Sequence, residues 1–199
     1  MQKWVQKKNL EESRLHTKYS KNKPFPHIVI RDFFNEREIG KVAAALLRQR
    51  FSHKETDLFS LNQTPDLSLL KDKTLRGFCQ LCNSTGFLTY VSKLTGIKVR
   101  GVNMSGFIYK DGDYLLPHDD RLEGRKVAYI INLTKGYTKK NGGALALFNM
   151  KQGKPEKIVK AYVPHYNTLT LFTVSKKSFH QVNEILLSKP RLSIGGWFY

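Results

Sequence analysis

Apolar residues change their spacing near residue 98. From there to the C-terminus they recur at every second position, in "VNMSGFIY", "KVAYIINL", "GALALF", "NTLTLFTV", "SFHQVNEIL" and "RLSIGGWFY", with turn signals such as "KDGD" and "KKNGG" between them. A period of two is the signature of a strand with one buried face. Six or more short strands behind a helical layer predict the α+β class: a sandwich or jelly roll supported on one face by helices. At 199 residues the length fits one domain.

The N-terminal half supplies that helical layer. Residues 1–25 are polar and charged with a weak helical pattern, and read as a basic N-terminal arm that ends in "NKPFPHIVI", where a strand begins. "NEREIGKVAAALLRQR" predicts a helix with Asn35 as N-cap and with Glu36 and Glu38 in its first turn, where acids favour the helix dipole. "FSHKETDLFSLNQTPDLSLLKDK" is irregular and reads as a mobile flap. A second helix is predicted over roughly residues 74–94, stopping at Gly96. The helical support thus covers about 35–96, and the strand core about 98–199, of a domain spanning 26–199.

Cys79 and Cys82 fall within the second helix, and no second ligand pair stands at matching spacing, so they read as buried or half-buried thiols in a reducing compartment. No apolar leader and no run approaching ~18 apolar residues is present, so no membrane span is expected, and a cytoplasmic location is, or a nuclear one if the source has a nucleus. The formal net charge of +18 points to a polyanion partner, RNA or a ribonucleoprotein, or else to a solvated lysine-rich surface.

The stretch "LLPHDDRLEGRKVAYIINL" places a histidine two residues before an acid at the start of a strand. On a strand, residues two apart face one side, so His118 and Asp120 are expected to reach one metal while Asp119 points away. A lone His-x-Asp is a weak signal, and a third ligand is required. His180, in "SFHQVNEIL", supplies it. Two histidines and a carboxylate are the ligand set of non-haem Fe(II) oxygenases, which keep positions open for substrate and dioxygen. His16, His27, His53 and His165 lack such partners and read as structural. Arg191 opens an apolar strand, so its guanidinium is expected in a cavity where it must meet an anion. Ser193 shares its face, and an arginine beside a hydroxyl makes a carboxylate clamp.

His-x-Asp, a distal His and Arg-x-Ser together resemble the 2-oxoglutarate/Fe(II)-dependent dioxygenases, and "RLSIGGWF" resembles their prolyl-hydroxylase branch. More narrowly, "ETDLFSLNQTPDL", "NGGALALF" and "IVKAYVPHYNTLTLFTVSKKSFHQVNEIL" are similar to the catalytic domain of the eukaryotic ribosomal-protein prolyl hydroxylases, from about residue 25 onward. The resemblance implies a double-stranded β-helix in which His118, Asp120 and His180 hold Fe(II). It also implies that Arg191 pairs with the distal carboxylate of 2-oxoglutarate, that Tyr109 contacts this cosubstrate, and that ascorbate supports turnover. A protein substrate is implied too, a ribosomal protein first among the candidates, with RNA or ribonucleoprotein contact through the basic surface.

Two departures stand out. The family members carry a second, non-catalytic double-stranded helix after the first, and its docking role is expected to be absent here or supplied by a partner. Where they have a tyrosine near the end of the "KVAYIINL" strand, this sequence has Asn132, which is expected to face the cosubstrate and bind it more weakly or in a different arrangement. Two other functions compete: a nucleic-acid demethylase, which suits the charge but whose second arginine, six residues after the first, is replaced by Trp197, and a non-catalytic β-helix binding module. A basic ribosomal peptide is repelled by a basic enzyme, which leaves two arrangements open: an acidic strip of Asp57, Asp66, Asp111 and Asp113 around the flap and the metal loop, or a basic surface that grips RNA while the cleft reads the protein.

Overall fold

Capping side chains delimit the helices of a computed structural model that describes residue 1 and residues 3–199. Helix α1 (Glu12–Lys21) and strand β1 (His27–Ile30) precede α2 (Glu36–Leu47), whose N-cap Asn35 accepts from the backbone N–H groups of Arg37 and Glu38. Residues 1–25 do not stand off as an arm. Val5 and Tyr19 are buried in the main core, and the Tyr19 hydroxyl lies 2.7 Å from Thr173 Oγ1.

The expected flap is instead a hairpin, β2 (Ser52–Thr56) and β3 (Phe59–Asp66). β2 is wholly exposed, and β3 buries polar Asn62 and Thr64 through hydrogen bonds to Asp113 and to the Gly106 N–H, so neither strand shows an apolar period. The single helix expected over 74–94 is two, α3 (Lys73–Cys82) and α4 (Thr85–Thr95). Asn83 breaks it by donating to the carbonyls of Cys79 and Val102, and Ser84 restarts it as N-cap of α4. Gly96, at φ +72, ends α4 in the left-handed conformation. Cys79 and Cys82 are free and buried, and burial pushes the Cys79 thiol up to about 11.

Beyond the helices run β4 (Ser105–Tyr109), β5 (Tyr114–His118), β6 (Val127–Asn132), β7 (Leu145–Lys151), β8 (Lys154–Tyr162), β9 (Thr168–Thr173), β10 (His180–Val182) and β11 (Arg191–Phe198). They form one curled antiparallel sheet in the order β1-β9-β6-β11-β4-β3-β5-β10-β7-β8, with β2 beside β3. β3 pairs with both β4 and β5 and so carries the sheet from one wall to the other. The result is a double-stranded β-helix.

Strand alternation separates core from site. One face of the larger wall, with Ile28, Ile30, Tyr129, Ile131, Leu169, Leu171, Leu192 and Ile194, packs against α2, α3 and α4 through Ile39, Leu46, Phe78 and Leu94. Fully burying an aliphatic or aromatic side chain of this kind contributes on the order of 1.5–3 kcal/mol. Gly106 lets α2 settle on β4: a Cβ there would lie 2.5 Å from Leu46. The other face looks into the barrel. Its rows follow from register: Ser193, Asn132 and Thr168 lie side by side across β11, β6 and β9, and Gly195, Ile130, Thr170 and Val29 form the next row. No described helix is long and apolar enough to cross a membrane.

Candidate active site

β5 ends on His118, β10 begins on His180, and the two residues are direct register partners. Opposed residues on antiparallel neighbours project to one face, and the two ring centroids are 4.2 Å apart. The carboxylate arrives by a route other than strand alternation, because β5 stops at His118. Asp120 lies beyond the strand at φ +62, a left-handed conformation that aspartate tolerates better than most residues. That turn brings its Oδ1 to 3.3 Å from His118 Nε2 and its Oδ2 to 3.4 Å from His180 Nε2. Asp119 instead pairs with Arg121 Nε at 2.7 Å.

Hydrogen bonding fixes which ring nitrogens are free. His118 Nδ1 is 2.8 Å from the Leu116 carbonyl, and His180 Nδ1 is 2.8 Å from that of Ser178. A carbonyl only accepts, so each Nδ1 carries a proton and each Nε2 is the nitrogen turned to Asp120. Burial, reinforced by the neighbouring His118, pulls His180 down to about 4, which keeps it neutral at physiological pH. At His118 burial disfavours the charged ring, but the hydrogen bond and charge of Asp120 more than offset it and raise its pKa, while the neutral His180 turns an Nε2 lone pair to the same carboxylate. A metal cation would take the place of the proton that Asp120 draws to the pair. One donor atom from each of His118, Asp120 and His180 lies within 4.8 Å of the others, and this neutral-imidazole and carboxylate set fits Fe(II).

The three face a cavity of about 400 Å³ walled by Ile130, Phe172 and Trp197, among others. Tyr109, Arg191 and Ser193 line it too. Arg191 is 2% exposed, its Nε has no hydrogen-bond partner, and its one side-chain bond runs from Nη2 to Asn132 Oδ1 at 3.3 Å. Its Cζ lies 5.3 Å from the centre of the Tyr109 ring, its register partner. No carboxylate among the described residues pairs with it. A buried guanidinium without an anion has donors to offer a ligand carboxylate, which fits 2-oxoglutarate. Gly143 leaves it room: a Cβ there would lie 2.9 Å from the Tyr137 hydroxyl and 3.4 Å from Arg191 Cδ.

At the mouth, Arg125 stacks on Trp197 with its Cζ 3.3 Å from the ring centre, and its Nη1 donates to the Asp120 carbonyl at 3.4 Å. The Trp197 indole N–H is buried without a partner of good geometry. Burial alone raises the Asp120 carboxyl. His118, His180 and the nearby indole more than offset it and hold the group below its usual range.

The family model described as the 2OG-Fe(II) oxygenase superfamily matches residues 104–199, the segment that carries all three metal donors and Arg191. The chain carries a 2OG-Fe(II) oxygenase domain. It is 38% identical over 180 residues to a Xenopus laevis protein named prolyl 3-hydroxylase OGFOD1, covering 88% of this chain and 35% of the frog protein. It is 30% identical to Drosophila melanogaster prolyl 3-hydroxylase sudestada1 over 99% of this chain and 40% of that one. The chain thus spans a little over a third of the length of these relatives. In fold it resembles a Pseudomonas putida prolyl-4-hydroxylase (TM-score 0.72, 17% identity, 92% of this chain and 97% of the other). It also resembles a Trichoplax adhaerens prolyl hydroxylase solved with a hypoxia-inducible-factor peptide fragment (TM-score 0.75, 16% identity, 96% and 90%).

Within this oxygenase domain several side chains lie elsewhere than the sequence suggested. Asn132 lines a second cavity beside the first, with its oxygen on Arg191. The acidic strip does not form along the cleft, since none of its four residues lines the main cavity. Asp113 is buried among Ser60, Asn62 and the Lys110 N–H, and Asp66 accepts from Ser68 and the Met104 N–H. The other histidines hold structural partners: His16 the Leu94 carbonyl, His27 the Phe25 carbonyl and Tyr162, His53 Glu55, and His165 the Tyr166 carbonyl. Sequence reasoning missed Arg125 and Trp197 as parts of the site, although Trp197 stands in step with Arg191, Ser193 and Gly195 on one strand face.

Proposed function

We propose that this chain is an Fe(II)- and 2-oxoglutarate-dependent hydroxylase of prolyl residues in a protein, with a ribosomal or other RNA-associated protein as target. One observation carries the reading: a three-donor metal site and a buried, anion-seeking arginine open into the same mostly apolar cavity. The names of the relatives and the resemblance in sequence support proline as the residue, and the net charge of +18 supports a ribonucleoprotein setting.

When bound, iron and 2-oxoglutarate supply the oxidising power that places one atom of dioxygen on a substrate carbon and the other in succinate, with loss of carbon dioxide. The protein's own residues do the rest. His118, Asp120 and His180 hold the iron, their tautomers set by the Leu116 and Ser178 carbonyls. Arg191 takes the distal carboxylate, with Ser193 beside it and the Tyr109 ring as a wall. Phe172, Ile130 and Trp197 keep water from the reacting carbon. Arg125, at the mouth, stacks on Trp197 and holds the Asp120 carbonyl. No protein acid or base is needed to remove the hydrogen, and ascorbate serves as supporting reductant.

Incubation of the chain with ribosomal proteins and synthetic peptides, Fe(II), ascorbate and 2-oxoglutarate, followed by peptide mass spectrometry, tests this reading. One added oxygen on a proline, dependent on both iron and 2-oxoglutarate, is the expected result. The basic charge keeps a second reading in play, removal of a methyl group from nucleic acid. Formaldehyde release from methylated RNA, with no oxidised proline, would favour it.

A further inference from the structure

Asp120 is the one metal donor that no strand places. His118 and His180 stand opposite one another on β5 and β10, whereas Asp120 lies beyond β5 with its backbone at φ +62. A left-handed residue other than glycine persists only where its surroundings hold it there. The two imidazoles engage its carboxylate and not its backbone.

The backbone is held from the mouth of the cavity. Arg125 donates from Nη1 to the Asp120 carbonyl at 3.4 Å. That bond is long, and the stack fixes its donor: the guanidinium carbon lies 3.3 Å from the centre of the Trp197 ring. No carboxylate side chain among the described residues forms an ion pair with Arg125 to draw it away. Trp197 is anchored in turn. Its backbone N–H donates to Asn103 Oδ1 at 2.9 Å, and the Tyr129 hydroxyl donates to the Asn103 carbonyl at 3.0 Å. Gly196 permits this approach, since a Cβ there would collide with the Asn103 carbonyl oxygen. The Trp197 indole N–H is buried without a partner of its own and lies close to the Asp120 carboxylate, which it helps to hold below its usual range.

We propose that Arg125 and Trp197 are positioning residues for the metal: stacked, they hold Asp120 in its left-handed turn, the guanidinium on its carbonyl and the indole N–H toward its carboxylate. Neither touches the metal in this role. An ionised carboxylate has about four acceptor sites, so one taken by a metal leaves room for an indole donor. Groups that orient a metal ligand in this way typically change affinity by roughly 10- to 100-fold. The sign of the effect separates positioning from plain electrostatics. A guanidinium beside the site repels a bound cation, so its removal would tighten the metal if charge were all that mattered. Positioning predicts weaker binding. The proposal rests on the oxygenase reading only in taking His118, Asp120 and His180 as donors.

The metal-free full chain is titrated with Co(II), which stands in for Fe(II) and whose visible absorption reports its coordination, without 2-oxoglutarate or substrate. Arg125→Met is expected to weaken Co(II) roughly tenfold or more. Arg125→Lys, which keeps the charge and loses the planar fork, should restore little of that loss. Trp197→Phe keeps a ring for the stack and removes the N–H, and should weaken Co(II) roughly fivefold, the scale of one net hydrogen bond. Arg121→Met removes a charge from the same loop, one paired with Asp119, and should leave the affinity unchanged. Equal or tighter Co(II) binding in Arg125→Met overturns the proposal, as does full recovery in Arg125→Lys. Arg125 is half-buried, so its variants decide the matter even if Trp197→Phe fails to fold. No Co(II) binding by the original chain overturns the metal assignment and this proposal with it. Binding that every variant retains overturns this proposal alone.

Discussion

The two ends of the barrel interior are both buried and both polar, yet their polar groups are satisfied in different ways. At the iron end the protein orients every donor itself: each imidazole is fixed by a backbone carbonyl at 2.8 Å, and the carboxylate spans both rings. At the arginine end the Arg191 Nε and the Thr168 hydroxyl are left without partners, and the one bond between side chains, Arg191 to Asn132, is long at 3.3 Å. The first end is built to wait for a cation whose geometry is set in advance. The second becomes complete only with an anion from solution.

Substitution at the iron end should give the largest effect. Asp120→Ala removes one of three donors, and iron affinity is expected to fall by more than the roughly 10- to 100-fold that follows loss of a group merely supporting a ligand. Succinate production should cease with it. Asp119→Ala breaks a pair with Arg121 whose partner is largely exposed, a loss of roughly 0–1 kcal/mol, and should retain most activity. Equal loss of iron in both variants, measured on folded protein, would remove Asp120 from its special position.

Arg191→Met comes next and acts with opposite sign on binding and folding. Loss of the buried partner should weaken 2-oxoglutarate binding to the iron-loaded chain by about 2–5 kcal/mol. Urea denaturation of the ligand-free variant should show a gain on the order of 1–4 kcal/mol, because an unpaired buried charge gives way to an apolar side chain of similar length. A destabilised ligand-free variant would mean that Arg191 is already satisfied without an anion, and the contrast between the two ends would fail.

The same contrast explains what was legible in the sequence. Metal donors are few and chemically distinct, so His118, Asp120 and His180 stand out wherever they fall. Strand alternation nevertheless gave Asp120 for a wrong reason, since a left-handed turn after β5 brings its carboxylate to the rings. Arg191, Ser193 and Trp197 share a face by simple alternation on β11, but the tryptophan drew notice only as a missing arginine. The β2–β3 hairpin stayed hidden because its buried positions include Asn62 and Thr64, whose hydrogen bonds cross from other strands. The break between α3 and α4 rests on Asn83 reaching Val102, a contact between residues 19 apart. Long-range polar partners of this kind leave no periodic trace, whereas the apolar outer face of the sheet does.

The smallest effect is the most discriminating, because it falls where the two cavities meet. Asn132 points inward from β6, beside Ser193 and Thr168, with its oxygen on Arg191. Asn132→Tyr removes that internal acceptor and sets a phenol beside the guanidinium. Arg191 is then free to direct more of its fork toward the first cavity, and the phenol can donate to the same distal carboxylate. 2-Oxoglutarate binding to the iron-loaded chain should tighten by up to ~1.5 kcal/mol, the upper range of one net hydrogen bond. Calorimetric titration of the original chain and the variant with 2-oxoglutarate checks this. Weaker 2-oxoglutarate in a folded variant would mean that the asparagine bond is what aims Arg191, and that the arginine end is arranged by the protein as fully as the iron end.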